Sequence, residues 1–304
     1  MIGELTGRRR HRPAVPLDLA RTLQPLRRGG AYDPTFRVTG SMTWRATRNL
    51  AGAVTMSVRS DGDWLDFEAW GPGADLALER APVLVGAEDD WSAFQPAHPL
   101  LRDLARRNPG IRLCRSEAVF EALVPTVMEQ KVIGIEARRG YARLVRALGE
   151  PAPGPGRLLL PPSPDTLART PYWRFHPFAV EQRRAETIIR TASSAARLEQ
   201  LCGGPAEDAR ATLQSIPGLG PWSANEVTLL ALGDPDAVPV GDFHLPNAVC
   251  HALAGEARGD DARMLELLEP YRGHRARVVR LLVAGHLRAP RFGPRLSLRH
   301  LERH

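Results

Sequence analysis

Hydrophobic and polar positions change rhythm partway along the chain. Three β-prone runs come early, Phe36 to Ala46, Gly52 to Arg59 and Asp63 to Trp70, and Ser60-Asp61-Gly62 marks a turn between the last two. A short helix is expected over Leu17 to Arg27. After about His98 the spacing becomes helical, through Leu100, Leu101 and Leu104 and then Val119, Phe120, Leu123 and Val127. Further helices are predicted over Val180 to Leu201, Ala206 to Ile216, Trp222 to Leu232, Phe243 to Leu253, Ala262 to Leu268 and His274 to Leu287. The Pro- and Gly-rich stretch from Gly149 to Pro164 is expected to be a surface loop.

This pattern predicts an α+β protein, with a small antiparallel sheet domain followed by a mainly α-helical one. The expected division is a basic flexible arm over residues 1–13, an antiparallel α/β domain over 14–112, a helical domain over 113–288 and a basic tail over 289–304.

Composition narrows the chemistry. With 304 residues, 43% of them hydrophobic, the chain can fill a substantial core. Its 41 basic and 34 acidic residues leave a net charge of +7, which favours a polyanionic partner. Lys131 is the single lysine; arginine dominates as codon bias in a GC-rich genome would produce, and it also suits bidentate phosphate contacts. Nine arginines face one acidic residue, Glu302, between Arg272 and the end. Cys114, Cys202 and Cys250 are too few and scattered for a disulfide framework, zinc ribbon or iron–sulfur cluster. His244 and His274 lack partners at metal-ligand spacing, so no metal site is expected. No apolar run approaches the roughly 20 residues a membrane span needs, and the N-terminus lacks a signal-like apolar stretch, so a cytoplasmic location is expected.

Two segments carry the chemistry. In Pro217-Gly218-Leu219-Gly220-Pro221-Trp222-Ser223 two glycines flank one apolar residue between two helical patterns, which together span 206–232. Such a hairpin can aim its amide N–H groups at an anion, and the helix after it adds its own free N–H groups. A Gly-capped helix followed by a Pro-started one would read the same way, so the hairpin alone does not decide. The second segment is Val238-Pro239-Val240-Gly241-Asp242, an extended apolar run ending in an acid at a helix start, 22 residues after Gly220. Taken alone, Asp242 would be a helix N-cap.

Hairpin, spacing and aspartate together resemble the helix-hairpin-helix DNA glycosylase superfamily, and within it the AlkA-like 3-methyladenine DNA glycosylase II group. Tyr32 to Arg37, Glu129-Gln130 and Arg183 to Glu186 support the resemblance, which covers about residues 15 to 290. It implies base-excision repair: hydrolysis of the N-glycosidic bond of a damaged base, an alkylated purine above all, flipped out of duplex DNA. Asp242 would be the catalytic carboxylate that stabilises positive charge on the sugar and orients water. DNA contacts would come from Pro217, Gly218, Leu219, Gly220, Ser223, Gln130 and Lys131. The base pocket would be lined at Trp222, Glu226, Phe243 and Tyr271. At Glu226 the family pattern has an aromatic, so the acid is a departure that bears on substrate range.

Lys131 stands where the group inserts a wedge side chain; a phosphate contact or a plain surface position are the alternatives. The strand-cutting relatives carry their Schiff-base lysine where this chain has Trp222, so the resemblance implies a monofunctional enzyme. It needs no cofactor, although hairpin carbonyls in this family can hold a monovalent cation. A monomer acting on damaged double-stranded DNA is expected, without an obligate protein partner. Rival readings are a non-catalytic helix-hairpin-helix DNA-binding protein, and a bifunctional glycosylase/lyase using Lys131.

Overall fold

The computed structural model describes residues 4–287 and 289. The basic tail expected over 289–304 therefore lies outside the described residues apart from Ala289. In chain order the elements are β1 (Gly7–His11), α1 (Leu19–Leu23), β2 (Phe36–Thr39), β3 (Met42–Asn49), β4 (Gly52–Asp61), β5 (Trp64–Trp70), α2 (Ala74–Leu84) and α3 (Pro99–Arg107). There follow α4 (Val119–Glu129), α5 (Gly134–Leu148), β6 (Glu150–Pro151), β7 (Leu159–Leu160), α6 (Pro164–Arg169), α7 (Gln182–Ala192) and α8 (Ala195–Glu199). The chain continues through α9 (Ala206–Gln214), α10 (Pro221–Ala231), α11 (Leu245–Ala254), α12 (Asp261–Leu268) and α13 (Arg275–Ala284). The expected α+β organisation holds: an antiparallel sheet precedes a mainly helical region.

The sheet has five strands in the order β1-β5-β4-β3-β2, every pair antiparallel. The first expected run is two strands, because Gly40 at φ +58° supplies the turn between β2 and β3. The basic arm is corrected more substantially. Residues 7–11 form an edge strand on β5, since their arginines meet acids across the pairing: Arg8 with Glu68 at 2.9 Å and Arg10 with Asp66 at 3.3 Å. Arg10 also lies over the Trp64 ring. These charges are matched within the fold, so residues 7–11 are an ordered edge strand and not a flexible arm.

One face of the sheet supplies Val54, Met56, Val58, Leu65 and Phe67 to a large core. That core runs without a break into α4, α5, α7, α9 and α10 through Leu123, Val127, Leu144, Ile188, Leu213 and Val227. The 149–164 stretch is also corrected: it docks on the other face of the sheet, where Leu158 and Leu160 bury against Ala46 and the Trp44 side chain. Its consecutive leucines are the physical reason, since exposing them would cost more than ordering the segment.

A second, smaller core joins α3, α11, α12 and α13 through Leu101, Leu104, Val249, Met264, Leu268, Val278 and Leu281. The hairpin before α10 belongs to the first core, through Leu219. The extended run leading to Asp242 belongs to the second, through Val238 and Val240.

Candidate active site

The turn between α9 and α10 is built as a buried anchor between two exposed glycines. Leu219 is only 5% exposed, while Gly218 and Gly220 face solvent. Gly218 adopts φ +97°, and a Cβ there would stand 2.2 Å from Thr187 Oγ1, so both backbone and space demand glycine. Two side chains hold the turn from outside: Arg190 donates to the Pro217 carbonyl at 2.8 Å, and Gln130 Nε2 donates to the Gly218 carbonyl at 2.9 Å and to Ser223 Oγ at 2.8 Å. The Gly218 and Gly220 N–H groups find no acceptor among the described residues. Beside them stand the free N–H groups of the first turn of α10, which Pro221 opens. The result is an outward-facing set of amide donors suited to an anion.

Gln130 and Lys131 follow α4, whose end is fixed deep in the protein. Arg184 donates from the interior to the Met128 carbonyl at 2.7 Å, and Arg28 pairs with Glu129 at 2.5 Å. Both members of that ion pair are largely shielded from water. Lys131 is exposed and holds φ +54°, a left-handed conformation that costs a non-glycine residue about 1 kcal/mol. A fixed α4 end with one strained residue at its tip presents that side chain at a defined place beside the glycine turn.

Asp242 stands two residues before His244, the N-cap of α11, and its side chain takes up the amides of His244 and Leu245 at the helix entrance. Its Oδ1 accepts from the His244 N–H and the Leu245 N–H, both at 2.7 Å, while Oδ2 accepts from no group among the described residues. Capping therefore fixes the orientation of the carboxylate and leaves one oxygen open. The loop carrying it is held by polar contacts: the Gly241 N–H donates to Asp261 at 3.0 Å, and the Val238 N–H donates to Asn225 Oδ1 at 3.1 Å. Gly241 takes φ +92°, which lets the run bend into the Asp242 turn.

Glu226 lies one helical turn beyond Trp222 on α10, and both are half-buried. Desolvation by the surrounding protein pushes the Glu226 carboxyl up to about 7. Arg28 and Arg280 pull against that shift, and the negative charges of Glu129 and Asp242 add to it. Glu226, Asp242, Glu129 and Arg28 thus form one electrostatic group, gathered from α10, the Asp242 loop, the end of α4 and the turn after α1. Asn225 of α10 holds the run that leads to Asp242, so the helix that carries Trp222 and Glu226 and the Asp242 loop are joined at that bond.

The other two residues expected at the base pocket, Phe243 and Tyr271, differ sharply in exposure. Phe243 is 78% exposed, with His244 edge-on to its ring at 4.9 Å. Tyr271 is packed inside the second core beside Phe94, and its hydroxyl accepts from the His98 N–H at 3.3 Å. Sequence reasoning missed Arg28, Arg190 and Asp261. Each acts on a residue at least 20 positions away, so no local pattern marks it.

This architecture defines a class: the fold is that of the helix-hairpin-helix DNA glycosylases. A 3-methyladenine DNA glycosylase from Archaeoglobus fulgidus superposes with a TM-score of 0.76 at 17% identity, covering 91% of this chain and 98% of that one. In sequence, about half of the chain is similar to curated AlkA and DNA-3-methyladenine glycosylase proteins. It is 33% identical over 153 residues to the probable bifunctional transcriptional activator/DNA repair enzyme AlkA of Mycobacterium tuberculosis, a match covering 49% of this chain and 30% of that protein. It is 28% identical over 153 residues to the putative DNA-3-methyladenine glycosylase YfjP of Bacillus subtilis, covering 49% of this chain and 52% of that protein. The matches thus span about a third to a half of these curated relatives. No family model matches the chain.

Proposed function

We propose that the protein is a monofunctional DNA glycosylase of base-excision repair, acting on damaged bases, alkylated purines among them, everted from duplex DNA. The observation that carries this reading is the divided Asp242 carboxylate, one oxygen committed to two amides and the other open, on a loop tied through Asn225 to the helix that follows the glycine turn. The turn and the start of α10 would grip a phosphate without regard to sequence, holding the strand while the base is out of the stack. As the glycosidic bond lengthens, positive charge grows on the sugar, and the open oxygen of Asp242 stabilises it and orients the attacking water. Trp222 offers an aromatic surface to the base, most favourable where the base is cationic. Lys131 would enter the gap left in the duplex.

The Arg190 guanidinium already brings positive charge to the Pro217 carbonyl, and no cation or other cofactor is assigned to the reaction. No helix among the described residues is long and apolar enough to cross a membrane. A monomer working on cellular DNA in the cytoplasm fits the proposed activity.

Asp242→Asn is the decisive variant, because asparagine caps helices as well as aspartate does and keeps the loop in place. Base release from methylated duplex should fall about a thousandfold with duplex binding retained. Undiminished release would refute the role of Asp242, and a wild-type protein that binds DNA but frees no base would favour the non-catalytic reading. A lyase using Lys131 would leave a covalent adduct with abasic DNA after borohydride reduction; none is expected.

A further inference from the structure

We propose that Arg138 and Arg139, exposed side by side on α5, are a second grip on the phosphate backbone of duplex DNA, separate from the glycine turn. This rests on the glycosylase reading and deepens it by naming where the duplex is held beyond the everted nucleotide.

The course of α5 places the pair. The helix does not retrace α4 away from the Lys131 tip. Gly140, nine residues past Lys131, still lies against the end of α4, where a Cβ on it would stand 3.4 Å from the Met128 side chain. Arg138 runs alongside Gly30, whose added Cβ would stand 3.4 Å from the arginine Cδ. Gly30 is two residues from Arg28, and the Arg28 guanidinium pairs with Glu129, the last residue of α4. The first half of α5 therefore crosses the end of α4, and Arg138 and Arg139 open to solvent near Gln130 and Lys131. Gln130 ties that same end to the glycine turn through the Gly218 carbonyl and Ser223 Oγ.

Charge gives the pair its partner. α5 carries four arginines and one acid, Glu136. A helix face made only for solvent gains from opposite charges four residues apart. Gly134, Ile135, Ala142 and Arg143 occupy those positions around Arg138 and Arg139, and none is an acid. Neither guanidinium has a hydrogen-bond or ion-pair partner among the described residues. The β1 arginines, by contrast, meet Glu68 and Asp66 across the sheet. Two adjacent cations repel each other, and an anion from outside relieves them. The duplex that reaches the glycine turn and Lys131 supplies that anion, since guanidinium groups suit phosphate oxygens and phosphate contacts carry no base preference. A side chain entering the stack also pushes the duplex away, and a backbone held at two places resists that push better than one held at a single turn.

The test is duplex binding against salt concentration, read by fluorescence anisotropy on an undamaged duplex and on one carrying a methylated purine. R138Q/R139Q should weaken binding to both by about ten- to fiftyfold at about 0.1 M salt, and should lower the slope of log affinity against log salt by about 2. R138K/R139K keeps both charges and should hold the wild-type slope. Both variants should melt with the wild type, since neither side chain has a partner in the fold to lose. An unchanged slope in R138Q/R139Q, or an equal fall in the lysine variant, would overturn the grip. A slope that falls as expected, in a protein that frees no base from the methylated duplex, would support the grip and overturn the glycosylase reading. A wild type that binds no duplex would overturn both.

Discussion

The two sides of the site are held by different forces. The glycine turn is fixed by packing: Leu219 is buried in the large core and Gly218 fits against Thr187 with no room for a methyl group. The Asp242 loop sits on the smaller core and is aimed by hydrogen bonds from Gly241 to Asp261 and from Val238 to Asn225. Packed contacts tolerate little change in volume, whereas exposed polar contacts yield gradually. The glycine turn should therefore fail abruptly when altered, and the Asp242 loop should give way by degrees.

Gly218→Ala should produce the largest effect. It adds strain at φ +97° to a collision with Thr187 Oγ1 at 2.2 Å, and the two together should cost about 2–3 kcal/mol of stability. Equilibrium denaturation measures that loss, and duplex binding should weaken with it because the amide donors are displaced. A variant that melts and binds like the wild type would show that packing does not fix this side.

The two sides were not equally legible in the sequence. Gly218 and Gly220 with Leu219 between them announce a turn, and at Gly218 the φ of +97° requires glycine. Asp242 was visible through its spacing from that turn, and its capping bonds agree with the local reading of an acid at a helix start. What the sequence hid is long-range. Arg28 reaches Glu129 across 101 positions, and nothing near either residue announces the other. Edge strand β1 was hidden because a run of arginines looks like a solvated arm until the acids of β5 are placed opposite it. The packing of Tyr271 in the second core beside Phe94 was hidden as well, since a face cannot be assigned until its neighbours are known.

Glu226 lies between the two sides, and its effect on stability should be next in size. Its folded-state value of about 7 exceeds the ordinary 4.5, so the native protein holds this proton more tightly than the unfolded chain does. Ionising it in the fold is unfavourable: the cost is full above about pH 7 and disappears as the pH falls to about 4.5. Partial contact with solvent reduces the cost to about 1–2 kcal/mol. Glu226→Gln should therefore raise the melting temperature by several degrees at about pH 8, with a gain that shrinks toward about pH 5. A gain independent of pH would mean that the carboxyl is not strained by its surroundings.

Asp261→Ala, the smallest change, examines the polar side directly. The Gly241 N–H would lose an exposed charged acceptor, whose contribution to placing the loop is about 1 kcal/mol. Asp242 keeps its own amide bonds in this variant, so its carboxylate stays oriented on the loop while the loop as a whole gains freedom. With Asp242 in its proposed role, base release at saturating protein should then drop by about five- to tenfold, since a small displacement of a reacting group is expensive in rate. Duplex binding should hold, because the glycine turn belongs to the other core. Equal losses in binding and release would instead mean that the two cores move as one body, and that the contrast between a packed grip and a tethered carboxylate does not govern the site.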